Sequence, residues 1–238
     1  MKRILCLLLC SSYLIALAPV ELIDDGKGPV WRKRVFSHIY DSKHWWDGES
    51  LSGPGSSRSS TATISLFLPT ILKAIGARTL IDAGCGDGNW METWIHQQEL
   101  DLYLGVDIVP LLIDENQKKY GSDRVLFMQL DIVEDPLLEV DVIMCRDVLQ
   151  HLSYEDIHAA LRNFKKSGAK YLLATSYSGV RDNNIEMMTG HCRWVNLQVP
   201  PFNFPEPLIS VFELSSEEKM VKVGKRICLW RIADLPIA

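Results

Sequence analysis

Residues Thr79–Met91 read TLIDAGCGDGNWM, and the fold follows from how that stretch divides. Thr79, Leu80 and Ile81 form a short β-branched and aliphatic run, the pattern of a strand buried on both faces. Asp82 closes the run. Gly84, Gly86 and Gly88 then take alternate positions, and Asn89 stands where it can cap a following helix. Trp90, Met91, Trp94 and Ile95 recur at helical spacing. The stretch predicts strand, glycine loop and helix, which brings a ligand against bare backbone at a helix N-terminus.

The alternation continues outward from there. Leu102 to Val106 reads as a strand ending at Asp107, and Pro110 opens a helix to Tyr120. Val125 to Leu130 is a strand ending at Asp131, and Val140 to Met144 one ending at Cys145, Arg146 and Asp147. Ser153, with Asp156 three residues on, caps a helix whose apolar face is Ile157, Ala160, Leu161 and Phe164. Tyr171 to Ala174 is a strand, and Ile209 to Leu214 with Arg226 to Ile232 closes the chain as a strand pair. Upstream, Ile64, Phe67, Leu68, Ile71, Leu72 and Ile75 mark a helical face ended by Gly76, with Pro69 expected to kink it or restart it. Strands alternating with helices predict an α/β fold: a Rossmann-like, doubly wound, mostly parallel seven-stranded sheet with helices on both faces.

In such a sheet ligands sit beyond the carboxyl ends of the strands. Asp82, Asp107, Asp131 and Asp147 are placed at four successive strand ends. A dinucleotide fingerprint would carry a third glycine where this chain has Asn89, which argues against a nicotinamide oxidoreductase. An acid two residues before G-x-G-x-G instead resembles motif I of the class I S-adenosylmethionine (SAM) methyltransferases. SAM is a cation, and its ammonium group suits carbonyl groups and an acid, so Asp82 makes physical sense there.

The resemblance spans about Thr79 to Tyr177 and implies SAM as cofactor, with no metal. It places Gly84, Gly86 and Gly88 against the methionine part of SAM, with Cys85, Asn89 and Trp90 also at the cofactor. Asp107, about twenty residues past the glycines, matches the acid that accepts both ribose hydroxyls, with Ile108 beside it. Asp131 matches the position that takes the adenine amine, and Leu130 and Ile132 flank the ring. Cys145–Leu152, reading CRDVLQHL, occupies the motif IV region beside the transferred methyl group, with Arg146 on the cofactor side. Asp147 and His151 are the catalytic candidates. Neutral histidine is poised as a base near pH 7. Against that, Asp147 has an ordinary role as a contact to the SAM amino group, and His151 as a helix cap or loop support.

Composition limits the rest. The chain has 238 residues, 47% hydrophobic and 23% charged, which is a globular composition with one domain as the default. A net charge of -5 with scattered Lys and Arg excludes a nucleic-acid surface. Lys2 and Arg3 precede an apolar run from Ile4 to Val20, and Ala16-Leu17-Ala18 has the form of a signal-peptidase site. Residues 1–20 read as a signal peptide or membrane anchor, with membrane association through residues 4–20. The scattered cysteines instead suit a cytosol-facing domain, so the two halves of the localisation reading pull apart.

Residues 21–59 read as a linker and N-terminal flap, and residues 60–238 as the methyltransferase domain. Within the flap, Trp45 and Trp46 adjoin a Ser/Gly/Pro loop, Ser50 to Ser57, either as core anchors or as a lid. Ser176 to Pro207 is too long for a routine connection and suggests a functional insertion. Arg181 or Arg193 there suits an acidic group, while Phe202 and Phe204 suit a Pro-rich strap packed on the sheet. The acceptor expected is a small-molecule or glycan hydroxyl. A protein acceptor, or SAM binding without catalysis, are the alternatives.

Overall fold

The computed structural model describes residues 26–95, 99–183, 185–213 and 223–237. The proposed leader, residues 1–20, lies outside them. Among the described residues no helix is long and apolar enough to cross a membrane.

Seven strands form one sheet: β1 (Thr79–Ala83), β2 (Leu102–Asp107), β3 (Val125–Gln129), β4 (Val142–Cys145), β5 (Tyr171–Tyr177), β6 (Ile209–Phe212) and β7 (Lys225–Arg231). Their spatial order is β3-β2-β1-β4-β5-β7-β6. The first five are parallel, and β7 runs antiparallel between β5 and β6. This is the expected Rossmann-like sheet with its closing strand pair. The order reverses between β1 and β4, and ligands bind at such a switch point.

Among the described residues four α-helices accompany the sheet: α1 (Gly28–Asp41), α2 (Arg58–Ala74), α3 (Pro110–Tyr120) and α4 (Tyr154–Lys166). Alternate residues of each central strand serve opposite faces. Ile81, Leu104, Ile143 and Leu172 pack with Ile157, Leu161 and Phe164 of α4. Leu80, Tyr103, Met144 and Leu173 pack with Ile64, Leu68 and Leu72 of α2 and Ile113 of α3. Burying each such side chain contributes about 1.5–3 kcal/mol. The near-continuous apolar runs read from the sequence are therefore two interleaved core faces.

Several local expectations need correction. Residues 21–34, expected as part of a linker, enter α1 at Gly28, because Pro29 in the first turn is preorganised for a helix. Pro69 does not restart α2, which runs unbroken from Arg58 to Ala74, with Leu68, Ile71 and Leu72 buried on either side of it. Phe67, expected on the apolar face, is exposed. The helix start is set further upstream, where Ser57 Oγ accepts from the Ser60 amide. After the glycine loop the described chain makes only a 3-10 turn, Met91–Thr93, where the Thr93 hydroxyl donates to the Trp90 carbonyl. Trp90 and Trp94 are buried, with ring centroids 5.8 Å apart. Asn89 caps nothing: its amide donates to Glu49 Oε1 at 2.7 Å and to the Ser56 carbonyl at 3.1 Å.

Candidate active site

The glycine turn is bound to the end of β2. The Gly84 and Cys85 amides both donate to the Val106 carbonyl, at 2.8 and 3.0 Å. The Gly86 amide donates to Asp107 Oδ2 at 3.0 Å, and the Val109 amide to Asp107 Oδ1 at 3.0 Å. Asp107 is thus a strand-end carboxylate oriented by two backbone donors, and burial raises its pKa. Asp82, one strand over, accepts from the Tyr103 hydroxyl at 2.8 Å. Burial pushes its pKa up to about 7.

Gly86 has no room for a side chain. Its φ is +58°, and a Cβ would lie 2.2 Å from Ser52 Oγ. That contact comes from the flap. Asp87 at the tip of the turn accepts from the Leu51 amide at 2.7 Å and the Ser50 hydroxyl at 2.9 Å, while its own amide donates to Ser52 Oγ at 2.9 Å. The Ser/Gly/Pro loop is therefore a lid fastened to the glycine turn. Between the lid, α1 and the strand ends lies a cavity of about 450 Å³.

The cavity gathers most of the sequence-predicted residues. Asp82, Gly84, Cys85, Gly86 and Trp90 line it from the first strand and turn. Asp107, Ile108, Asp131 and Ile132 line it from β2 and β3, and Arg146, Asp147 and His151 from the end of β4. Gly88 and Asn89 do not line it. Gly88 instead packs on α3, where a Cβ would meet the Tyr120 ring at 2.9 Å.

Asp131 is less free than the sequence implies. The Arg32 guanidinium from α1 donates to Asp131 Oδ2 at 2.8 Å, Glu134 Oε1 at 2.6 Å and Asp156 Oδ1 at 2.8 Å. Arg32 is buried, so α1 closes this end of the cavity with one cation set among three carboxylates. Burial raises the Asp131 pKa, with the Val133 amide and Arg32 opposing it.

The other end is a second charged cluster. Asp147 adopts φ +57°, a left-handed turn that aspartate tolerates. Its carboxylate pairs with Lys225 and with Arg146 Nη1 at 3.2 Å. Glu213 pairs with Arg146 Nη2 at 2.8 Å and with Lys225 at 3.3 Å. Against burial, which would raise it, Lys225 and Arg146 hold the Asp147 pKa down at about 2.

His151 is fixed on both sides. Its Nδ1 is 2.9 Å from the His191 carbonyl, and its ring stacks on Trp45 with centroids 4.5 Å apart. A carbonyl only accepts, so Nδ1 carries the proton and Nε2 the lone pair. Gln150 Nε2 approaches that lone pair at 3.3 Å, and the Tyr177 hydroxyl donates to Gln150 Oε1. Burial lowers the His151 pKa, so the neutral ring prevails near neutral pH.

From the long insertion, Cys192 and Trp194 reach the cavity. Arg181 is exposed, and Arg193 is buried away from the cavity lining, donating to the Leu152 carbonyl at 2.8 Å and stacked over Tyr154. Phe202 and Phe204 are buried in the strap, Phe204 against Trp230 at 5.3 Å. Sequence reasoning missed Arg32, Gln150, Tyr177 and Lys225 as lining residues. Arg32, Phe36 and Ile39 do share helical spacing, a signal of one buried face in the supposed linker. Lys225, just ahead of the apolar run Ile227–Trp230, was a second.

Residues 81–169 match the family model described as a methyltransferase domain. Comparison with curated proteins finds no match. Among solved structures, the chain is similar to the N-methyltransferase NodS from Bradyrhizobium japonicum WM9 in complex with S-adenosyl-L-homocysteine (SAH), at 14% identity and TM-score 0.58, covering 81% of this chain and 97% of that one. It is also similar to magnesium protoporphyrin IX methyltransferase from Synechocystis PCC 6803 with bound SAH, at 16% identity and TM-score 0.58, covering 83% and 98%. The methyltransferase domain of bacterial CtHen1 aligns at 12% identity and TM-score 0.56, covering 72% and 99%. At these identities the structures establish a shared fold.

Proposed function

We propose that the chain, whose residues 81–169 match the family model of a methyltransferase domain, is a class I SAM-dependent methyltransferase that methylates a hydroxyl of a small molecule or glycan. The observation that carries this reading is one cavity lined both by Asp82 and Asp107 and by the neutral ring of His151.

The residues fit the cofactor. Gly84 and Gly86 leave backbone bare where the methionine part would lie, and Asp82 supplies a carboxylate for its ammonium group. Asp107, already oriented by two amides, has lone pairs left for two ribose hydroxyls. Leu130 and Ile132 offer apolar faces to a base, with Asp131 beside them. When bound, SAM supplies an electrophilic methyl on a sulfonium leaving group.

The chain's own groups then align and deprotonate. With SAM bound, Nε2 of His151 would take the proton of an acceptor hydroxyl held in the place of the Gln150 amide. Asp147, held as an anion near 2, is too weak a base for a hydroxyl at neutral pH. Its role is to fix Lys225 and Arg146 at the cavity wall. The lid excludes water, which aids alignment.

The net charge of -5 with scattered Lys and Arg supports a non-nucleic-acid acceptor. Lys2, Arg3 and the apolar run 4–20 support a signal peptide or membrane anchor, tested by mass spectrometry of native N-termini. The test of function is mass-spectrometric detection of methyl transfer from labelled SAM into metabolite, glycan and protein pools. Label in an ether of a metabolite or glycan supports the reading. Label only in protein replaces it with a protein acceptor, and tight SAH binding without transfer to any pool replaces it with a binding protein.

A further inference from the structure

Arg32, Arg146 and Lys225 are the lysine and arginine side chains that line the cavity among the described residues. None of them is electrostatically free. Arg32 is set among three carboxylates, and Arg146 and Lys225 are each held between Asp147 and Glu213. Glu213 does not line the cavity. It stands behind the two cations, nearly fully buried, and together with Asp147 brings a wall of two positive charges to no net charge. Of the remaining acids in the lining, Asp131 is paired with Arg32, and Asp82 and Asp107 are the groups assigned to the cofactor, so none of them supplies a free positive partner. The other walls at the His151 end are flat and aromatic: Trp45, Tyr177 and Trp194.

A phosphate or carboxylate entering this space would shed its water, lie beside the Asp147 carboxylate and, among the described residues, find no lysine or arginine that is not already paired with an acid. Like-charge juxtaposition of that kind strongly suppresses a wrong partner. An uncharged ring loses far less on entry, covers aromatic surface, and keeps hydroxyls for Gln150 and His151.

We propose that the acceptor enters as an uncharged, hydroxyl-bearing ring, and that Glu213, by neutralising Arg146 and Lys225 from behind, is the residue that excludes phosphorylated and carboxylated acceptors. This deepens the proposed hydroxyl methylation and rests on it. It also makes acceptor choice a property of charge pairing in the closing strand pair, where Glu213 and Lys225 face each other through a backbone hydrogen bond of 3.0 Å.

The test uses the full chain saturated with SAH and two probes that share a ring, phenyl β-D-glucopyranoside and phenyl β-D-glucuronide. Affinities are read by ligand-observed NMR. The wild-type protein is expected to bind the glucoside at least about tenfold tighter than the glucuronide. Glu213→Gln should shrink or invert that ratio by about tenfold or more, while Glu213→Asp, which keeps the charge, should preserve it. Thermal unfolding checks that each variant is folded. If Glu213→Gln does not fold, Lys225→Met carries the test in the opposite sense, by widening the ratio. Equal or tighter glucuronide binding by the wild type overturns the proposal, as does binding of neither probe. An unchanged ratio in folded Glu213→Gln overturns it too, or in Lys225→Met where that variant stands in. Failure of the wild-type chain to bind SAH would instead count against the methyltransferase site itself, and calorimetry with SAH reads that separately.

Discussion

Nδ1 of His151 lies 2.9 Å from the carbonyl oxygen of His191, and this one contact decides what the ring can do. The carbonyl can only accept, so the proton is on Nδ1 and the basic lone pair is on Nε2, facing Gln150. If that lone pair takes the acceptor proton, His151→Ala should leave SAH affinity nearly unchanged and lower turnover by roughly 10²–10⁴. Single-turnover kinetics alongside calorimetry separates the two. A variant with full turnover would leave transfer to alignment alone.

The pH profile carries a sharper version. Only the neutral ring accepts a proton, so the rate should rise with pH through the histidine pKa and level off above it. Burial, including the Trp45 ring at 4.5 Å, lowers that pKa below the ordinary value. Trp45→Ala uncovers the ring, so the inflection should move to higher pH. An inflection that stays in place would show that Trp45 does not contribute to the desolvation.

Asp107→Ala should weaken SAH binding by roughly 1–3 kcal/mol, the worth of charge-assisted bonds to hydroxyls. It also removes the acceptor for the Gly86 and Val109 amides. Asp107→Asn, which keeps one acceptor oxygen, should therefore lose less. Equal affinities in wild type and both variants, by calorimetry, would remove Asp107 from the cofactor site.

Asp82 has a pKa raised by burial to about 7. An ammonium group placed beside it favours the ionised form, so binding of SAH must release a proton wherever the free carboxyl is protonated. SAH affinity should then increase as the pH rises through about 7 and plateau above it. Asp82→Asn should abolish the rise. A flat profile in the wild type would place the ammonium elsewhere.

Much of this was legible because it is periodic. Two-faced strand burial and the acids at four strand ends follow from local pattern, and β1, β2 and α3 fall within a residue of their expected bounds. What pattern could not show is pairing across the chain. Arg32 meets Asp131 across 99 residues, and Lys225 meets Asp147 across 78. Asn89 had the composition of a cap, yet Glu49 from the lid outcompeted that role. Trp90 and Trp94 had helical spacing, but bulky packing and the Thr93 hydroxyl favoured a tighter turn.

Arg32 gives the most direct test of that long-range pairing. Its guanidinium is buried, and it neutralises Asp131 and Asp156 while reaching Glu134 at the surface. Arg32→Met keeps length and apolar character but strands the carboxylates, and breaking a buried pair from one side costs about 3–5 kcal/mol. The loss should be largest near neutral pH, where Asp131 is ionised. It should shrink as the pH falls and Asp131 takes up a proton, because its pKa is already raised by burial and it loses the guanidinium that opposes the shift. Urea unfolding at neutral and mildly acidic pH reads both effects. Because α1 is held to the loop after β3 by this cluster, the variant should also release α1, seen as faster amide exchange over Gly28–Asp41 than over α2. Equal loss at both pH values would mean that Arg32 stabilises by packing its stem rather than by its charge.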